Sequence, residues 1–261
     1  MFSIDQYAYS NRLKTCHPGE KFAFAMGTMV ICLASSSVVV SLVTVLLMSG
    51  AVILRAGIPW RFYLKMMTIP FSFLLVGVAT VAVSVSRHPD GVIYGFTVLG
   101  LTVGVTLRDL GIAAGLFCKS LGAVSCLYFL ALTTPMVEII LVLKKLRVPS
   151  LFIELMGLIY RFIFVVMDTA AKIYTAQSSR WGYASLKTSY FSLGQLASTL
   201  FIKSYHRSQE LFTALMSRCY NGELNVIEPR CPVSKGNIAI IVAIDLALAA
   251  LALATGNYSI I

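Results

Sequence analysis

Apolar residues fall along this chain in long blocks separated by short, basic, polar breaks, a pattern that predicts helices spanning a bilayer. The first block, residues 22–55, is too long for one span: at about 1.5 Å per residue it would make a helix of roughly 50 Å, against a hydrocarbon core of about 30 Å. The serines at 35–37 mark the break, because their hydroxyls can satisfy backbone groups freed between two short spans. Arg55, Arg61 and Lys65 follow around Gly57-Ile-Pro59, with Trp60 and Tyr63 suited to the headgroup zone, so this loop is expected to be cytoplasmic. A third span covers 66–86 and ends at Arg87-His-Pro-Asp-Gly91, a turn expected outside. Residues 92–107 mix Gly, Thr and β-branched side chains, poor material for a spanning helix, and read as a short re-entrant or extracytoplasmic piece. A fourth span, 109–131, carries Lys119 near its middle. It stops at Thr133-Thr-Pro135, where Thr134 and Pro135 have the N-cap and N1 chemistry of a new helix.

Beyond this point the pattern changes. Residues 135–235 hold twelve Lys or Arg against six Asp or Glu, and apolar positions recur at helical spacing instead of in continuous runs. Three helices are predicted: 136–147, ended by Val148-Pro149; 151 to about 179; and about 190 to 216. In the last, Leu193, Leu196, Leu200, Leu211 and Leu215 form a stripe interrupted by Lys203, His206, Arg207, Gln209 and Glu210, so the helix suits a membrane face. The apolar stretch 151–167 has a rival reading as a span, against which stand Glu154 and Arg161, seven residues apart and near one helical face. A final span is expected over 237–256. The fold class is therefore an all-α polytopic membrane protein with about five transmembrane helices. About four lie in residues 1–132, amphipathic helices form a cytoplasmic domain over 133–236, and a C-terminal transmembrane helix lies in 237–261. Placing the N-terminus inside puts every basic loop on the cytoplasmic side.

Composition agrees with this reading. Apolar letters make up 58% of 261 residues and charged ones only 12%, where a soluble domain has about a quarter charged. The net charge of +10 does not point to nucleic acid, because Lys and Arg concentrate in the loops between apolar runs. Six cysteines without CxxC spacing speak against a disulfide framework or a zinc site. The first twenty or so residues are polar and lack the basic start and early apolar core of a cleaved signal, so the first span is expected to stay.

Little in the sequence suits catalysis. No G-x-x-x-x-G-K-[ST] is present to cradle a nucleotide, so any ATP is expected to be used by another subunit. His17, His88 and His206 are scattered without metal-ligand spacing, and the adjacent pair Cys16-His17 is poorly placed to converge on one ion, so no catalytic, cofactor or metal residue is assigned. Lys119 and Asp245 both fall near mid-span, where an unpaired charge costs at least about 2.5 kcal/mol; they are expected to pair, to meet a partner subunit, or to snorkel to an interface. Arg180 and Arg218 end helical segments. Each follows a serine (Ser179, Ser217) and is soon followed by a glycine (Gly182, Gly222) that permits a tight terminus, so each guanidinium is expected to project outward. Two such ends, thirty-eight residues apart, can enter two equivalent grooves of a dimeric partner, although spacing alone favours arginines that face solvent or lipid phosphate. No internal repeat stands out.

The segments Asp5-Gln-Tyr-Ala-Tyr-Ser-Asn-Arg12, Thr133-Thr-Pro-Met-Val-Glu138, Lys145-Leu-Arg-Val-Pro149 and Tyr160-Arg-Phe162, with the two arginine segments, occur in an order that resembles the transmembrane T component of energy-coupling factor (ECF) transporters. The nearest subtype is the CbiQ-like cobalt-transport family, and the run from Arg207 to Gly222 is the most specific block. The resemblance implies a non-enzymatic bacterial inner-membrane subunit whose cytoplasmic helices are coupling helices. Two Ala-Arg-Gly motifs of that family dock into two ABC-type ATPase subunits, which points to Arg180 and Arg218; here the motifs read Ser179-Arg-Trp181 and Ser217-Arg-Cys219. It further implies a separate substrate-binding S component (CbiM-like) that holds the cobalt or nickel, and a small accessory subunit (CbiN-like). A vitamin-uptake T component is the nearest alternative. An integral-membrane enzyme would need clustered His, Asp or Glu, and an ion-driven secondary transporter would need repeated halves.

Overall fold

The computed structural model describes residues 3–35, 37–82, 84–86, 92–98, 101–220 and 234–256. Two compact units divide it: Phe2–Ile139 together with Arg230–Ile261, and Ile140–Pro229.

The first unit opens with α1 (Ser3–Ser10), a 3-10 turn at Arg12–Thr15 and α2 (Pro18–Ala34). Pro18 occupies the first helical position of α2, where its missing N–H is no loss, and His17 Nδ1 accepts a hydrogen bond from the Gly19 N–H at 3.0 Å. The chain breaks at the serines as the hydroxyl argument requires: Ser35 is extended and its Oγ accepts from the Ser37 N–H at 3.2 Å. α3 (Val38–Gly50) continues as a π-helical turn over Ala51–Arg55 and closes at Gly57, whose φ of 74° only glycine adopts without strain. α4 (Trp60–Ala82) starts earlier than the predicted 66, so Arg61 and Lys65 lie in its opening turns, not in a loop. Their long side chains can reach the polar zone from a helix, which is why charge alone misplaced this boundary.

A small antiparallel sheet follows: β1 (Ser84–Ser86), β2 (Val92–Val98) and β3 (Leu101–Thr106) in the order β1-β3-β2, with Thr97 opposite Thr102 and Val85 opposite Val103. The described residues from Val92 to Thr106 are thus strand and not helix, in line with their β-branched composition, and among the described residues this sheet is the one addition to an otherwise all-α fold. The turn Arg87–Gly91 lies outside the described residues. α5 (Leu107–Thr133) covers the fourth predicted span, α6 (Met136–Lys145) begins at the predicted 136 with Pro135 and not Thr134 at the cap position and ends two residues before the predicted 147, and α9 (Lys235–Gly256) is the C-terminal span.

The core forms where α2, α3, α4 and α5 meet, from Phe24, Ala25, Met48, Val52, Tyr63, Cys126, Phe129 and Leu132 among others. Phe24 and Phe129 pack edge to face, with ring centroids 5.4 Å apart. Small residues bring these helices together: a Cβ on Gly122 of α5 would lie 2.6 Å from Cys32 Sγ of α2. The buried hydroxyls of Thr28, Thr44, Ser125 and Thr133 each donate to a carbonyl one turn back in their own helix, so none of these four hydrogens faces the apolar interior unbonded.

The second unit is built on α7 (Ser150–Ser178) and α8 (Leu186–Met216). α8 starts four residues before the predicted 190, because Ser185 and Thr188 form a reciprocal capping box. Among the described residues, five helices are long and apolar enough to cross a membrane: Val38–Arg55, Trp60–Val81, Asp109–Thr133, Ser150–Ser178 and Lys235–Thr255. The number matches expectation but the membership does not. α7 qualifies on length and composition, while α2, at 17 residues, is about 25 Å long and falls just short.

Candidate functional site

Both candidate arginines sit at helix ends of identical construction. At the end of α7 the Gly182 N–H donates to the Gln177 carbonyl (2.9 Å) and the Trp181 N–H to the Ser178 carbonyl (3.1 Å). At the end of α8 the Tyr220 N–H donates to Leu215 (3.1 Å) and the Cys219 N–H to Met216 (3.1 Å). These paired bonds are the Schellman closure, which satisfies the last carbonyls of a helix by turning one residue left-handed. The left-handed residues are Trp181 (φ 60°) and Cys219 (φ 57°). Each arginine therefore precedes the left-handed residue, at the last helix-like position, and both are exposed. Behind each stands the same hydroxyl ladder: Ser179 Oγ donates to the Thr175 carbonyl and Ser217 Oγ to the Thr213 carbonyl, both at 2.9 Å.

That equivalence corrects two expectations. The positive φ belongs to Trp181 and Cys219, and Gly182, which does not carry it, has a different task. A Cβ there would meet Ser192 Oγ at 2.7 Å and the Gln177 carbonyl at 2.9 Å, so Gly182 allows the start of α8 to close onto the end of α7. Ser192 Oγ donates to the Gly182 carbonyl (2.8 Å), Gln177 Nε2 to the Ser192 carbonyl (3.0 Å), and Tyr183 Oη to Gln177 Oε1 (2.8 Å). Gly222 lies outside the described residues. The second correction is that a short repeat does exist: Thr175-Ala-Gln-Ser-Ser-Arg180 and Thr213-Ala-Leu-Met-Ser-Arg218 share Thr, Ala, Ser and Arg at a constant offset of 38. Comparing the two arginine segments position by position would have found it.

A third Schellman closure, at the end of α6, places Arg147 left-handed (φ 60°) with Leu146 before it. The cap is thus general to this region, and the preceding arginine is what distinguishes the ends of α7 and α8. Those two arginines flank α8, whose 31 residues span roughly 45 Å, too far apart for one groove. Tyr220, just past the second end, donates to the Glu154 carboxylate near the start of α7. That bond holds the phenol pKa above its ordinary value, with local desolvation adding to the effect. Among the described residues neither Arg180 nor Arg218 makes an ion pair, whereas Lys172–Asp168 and Arg207–Glu210 in this unit do, both exposed.

The surroundings of these ends are strongly apolar. α7 buries none of its residues, and Leu151, Phe152, Ile159, Trp181, Tyr190, Phe191, Phe201 and Phe212 are all exposed. An isolated soluble domain rarely leaves so much apolar surface open, so this unit meets lipid or protein.

The remaining candidates lie in the other unit. Asp245 of α9 rests against Gly27 of α2, where a Cβ would sit 2.8 Å from Asp245 Oδ2, and its buried Oδ1 has no hydrogen-bond partner among the described residues. Among the described residues no ion pair joins it to Lys119, whose backbone carbonyl lies 3.9 Å from Cys32 Sγ. No three His, Cys, Asp or Glu side chains converge among the described residues.

Comparison with known proteins sets this geometry in a family. The family model described as cobalt transport protein, CbiQ, matches residues 10–227. The cobalt transport protein CbiQ of Salmonella typhimurium is 33% identical over 228 residues, covering 87% of this chain and all of the relative. A protein of Methanocorpusculum labreanum that carries the name of a fused cobalt transport protein, CbiMQ, is 32% identical over 219 residues, 84% of this chain and 36% of its own length. The energy-coupling factor transporter transmembrane protein EcfT of Ruminiclostridium cellulolyticum is 28% identical over 183 residues, 67% of each chain. With a match over most of its length and helices fit to span a bilayer several times, the chain belongs to the CbiQ cobalt transport protein family, as a multi-pass transmembrane component of ECF-type transporters.

Proposed function

We propose that this chain is the coupling subunit of an ATP-driven uptake transporter for cobalt or nickel, and that Arg180 and Arg218 dock it onto two ABC-type ATPase subunits. The observation that carries the reading is the pair of identical helix closures, each presenting at opposite ends of α8 an exposed arginine that makes no ion pair among the described residues. A guanidinium held this way offers its planar donor fork to a carboxylate in a groove, and a helix end gripped by a moving ATPase moves the whole rigid helix. ATP is bound and hydrolysed by the partners, and this chain itself is non-catalytic.

The fused CbiMQ relative supports a CbiM-like S component as the metal-binding neighbour, and a CbiN-like accessory subunit completes the assembly. Orientation follows from charge: the N-terminus and the coupling helices face the cytoplasm. The relatives' names favour cobalt as the cargo, since nothing in the apolar helices selects a metal over a vitamin. Mild-detergent purification of the tagged chain from its native membrane, with mass identification of what comes with it, tests the assembly. ABC-type ATPases and a CbiM-like protein are expected; a chain recovered alone, or one that moves Co2+ unaided in vesicles, contradicts it.

A further inference from the structure

Residues 140–229 form their own compact unit, so the chain crosses between units twice, leaving after Ile139 and returning before Arg230. The nearest described anchor on each side of that excursion is held by one of two adjacent residues of α2. On the outgoing side, Lys21 Nζ donates to Glu138 Oε2 at 3.0 Å and to the Thr133 carbonyl at 3.1 Å, gripping the corner between α5 and α6. Asn11 Nδ2 donates to the same Thr133 carbonyl at 3.2 Å. On the return side, Glu20 Oε1 accepts from the Ser234 N–H at 2.8 Å and Oε2 from Asn237 Nδ2 at 3.1 Å. The Glu20 carboxylate therefore caps the start of α9, where unbonded N–H groups and the helix dipole favour an anion.

Both residues are buried, Glu20 at 6% and Lys21 at 4% exposure, and Glu138 is only 15% exposed. Charges so placed are poor sources of stability, because desolvation offsets their attraction and apolar replacements of similar volume are commonly as stable. A buried, hydrogen-bonded pair can instead fix a geometry. Here the Lys21 bonds fix the corner between α5 and α6, and the Glu20 bonds fix the start of α9, to the same first turn of α2.

We infer that Glu20 and Lys21 are positioning residues forming a common root, through which displacement of the coupling helices enters the membrane helices. The inference rests on the proposed coupling function and adds the place where force crosses.

The test uses the complete transporter in proteoliposomes, reading ATPase association, ATP hydrolysis and radiolabelled Co2+ uptake. Lys21→Met with Glu138→Leu removes both charges together, Glu20→Gln keeps one acceptor oxygen, and Lys21→Arg keeps the cation. The first two variants are expected to bind the ATPases and hydrolyse ATP like the wild type, while uptake per ATP falls by about fivefold or more, the low end of ordinary coupling between sites. Lys21→Arg is expected to retain most of the coupling. Unchanged uptake per ATP in the first two variants overturns the root, as does failure of both to assemble in the membrane, which would make these residues folding determinants only. A wild-type chain that never recruits ATPases overturns the docking reading and this inference with it.

Discussion

Trp181 and Cys219 occupy a backbone region in which a Cβ crowds the following carbonyl, at a cost of about 1 kcal/mol or more. Trp181 is 80% exposed and gains little from packing within this chain. Trp181→Gly is therefore expected to stabilise the end of α7 by about 1 kcal/mol, and a rise in melting temperature of the purified protein checks it; a fall would show that the indole packs. Gly182→Ala is expected to act the other way, by about 1–3 kcal/mol, because its methyl would press on Ser192 Oγ and the Gln177 carbonyl, neither of which can retreat without losing a hydrogen bond. Tyr220 gives a pH test. Its folded pKa is raised by the Glu154 carboxylate, so its contribution to stability is complete below the ordinary phenol value near 10 and is lost as pH rises through the higher folded value. The difference between phenolate absorbance titrations of wild type and Tyr220→Phe should show one phenol ionising late, and Glu154→Gln should bring it back toward the ordinary range. At this scale the placement of the two arginines at helix ends was legible from the sequence around them, each following a serine. The left-handed residue was not, since nothing about Trp or Cys advertises a positive φ; only the Schellman bonds reveal it.

At the scale of elements, hydroxyl chemistry predicted better than charge did. Ser35 and Ser37 marked the break between α2 and α3, and the structure closes it with a serine hydroxyl. Arg61 and Lys65 suggested a loop and proved to be helical, because long cationic side chains report where their tips lie and not where the backbone turns. The start of α8 was missed for a related reason: Ser185 and Thr188 form a capping box with Thr in place of the usual Glu or Gln, a weaker signal in sequence than in space. Ser185→Ala is expected to cost about 1 kcal/mol and to fray the first turn of α8, read as faster amide exchange there. The strands β2 and β3 were legible only as an absence of helix. Their Gly and Thr content weakens the alternation that would have announced a sheet.

For the whole molecule, one unit has a packed apolar core and the other exposes most of its large side chains, so the second is completed by what covers it. The count of spans shows where sequence periodicity stops: α7 is apolar enough to be one, α2 is slightly too short, and only the placement of partners and lipid decides between them. Burial of Glu20 and Lys21 was invisible in the sequence, because their partners lie more than a hundred residues away along the chain. The central claim, that two arginine-tipped helix ends grip separate ATPase subunits, is tested most directly by co-purification of ATPases with the Arg180→Glu/Arg218→Glu double variant. Reversed charges in closed grooves should cost several kcal/mol and abolish ATPase recovery while the variant still inserts in the membrane; undiminished recovery of both ATPase subunits would contradict the account.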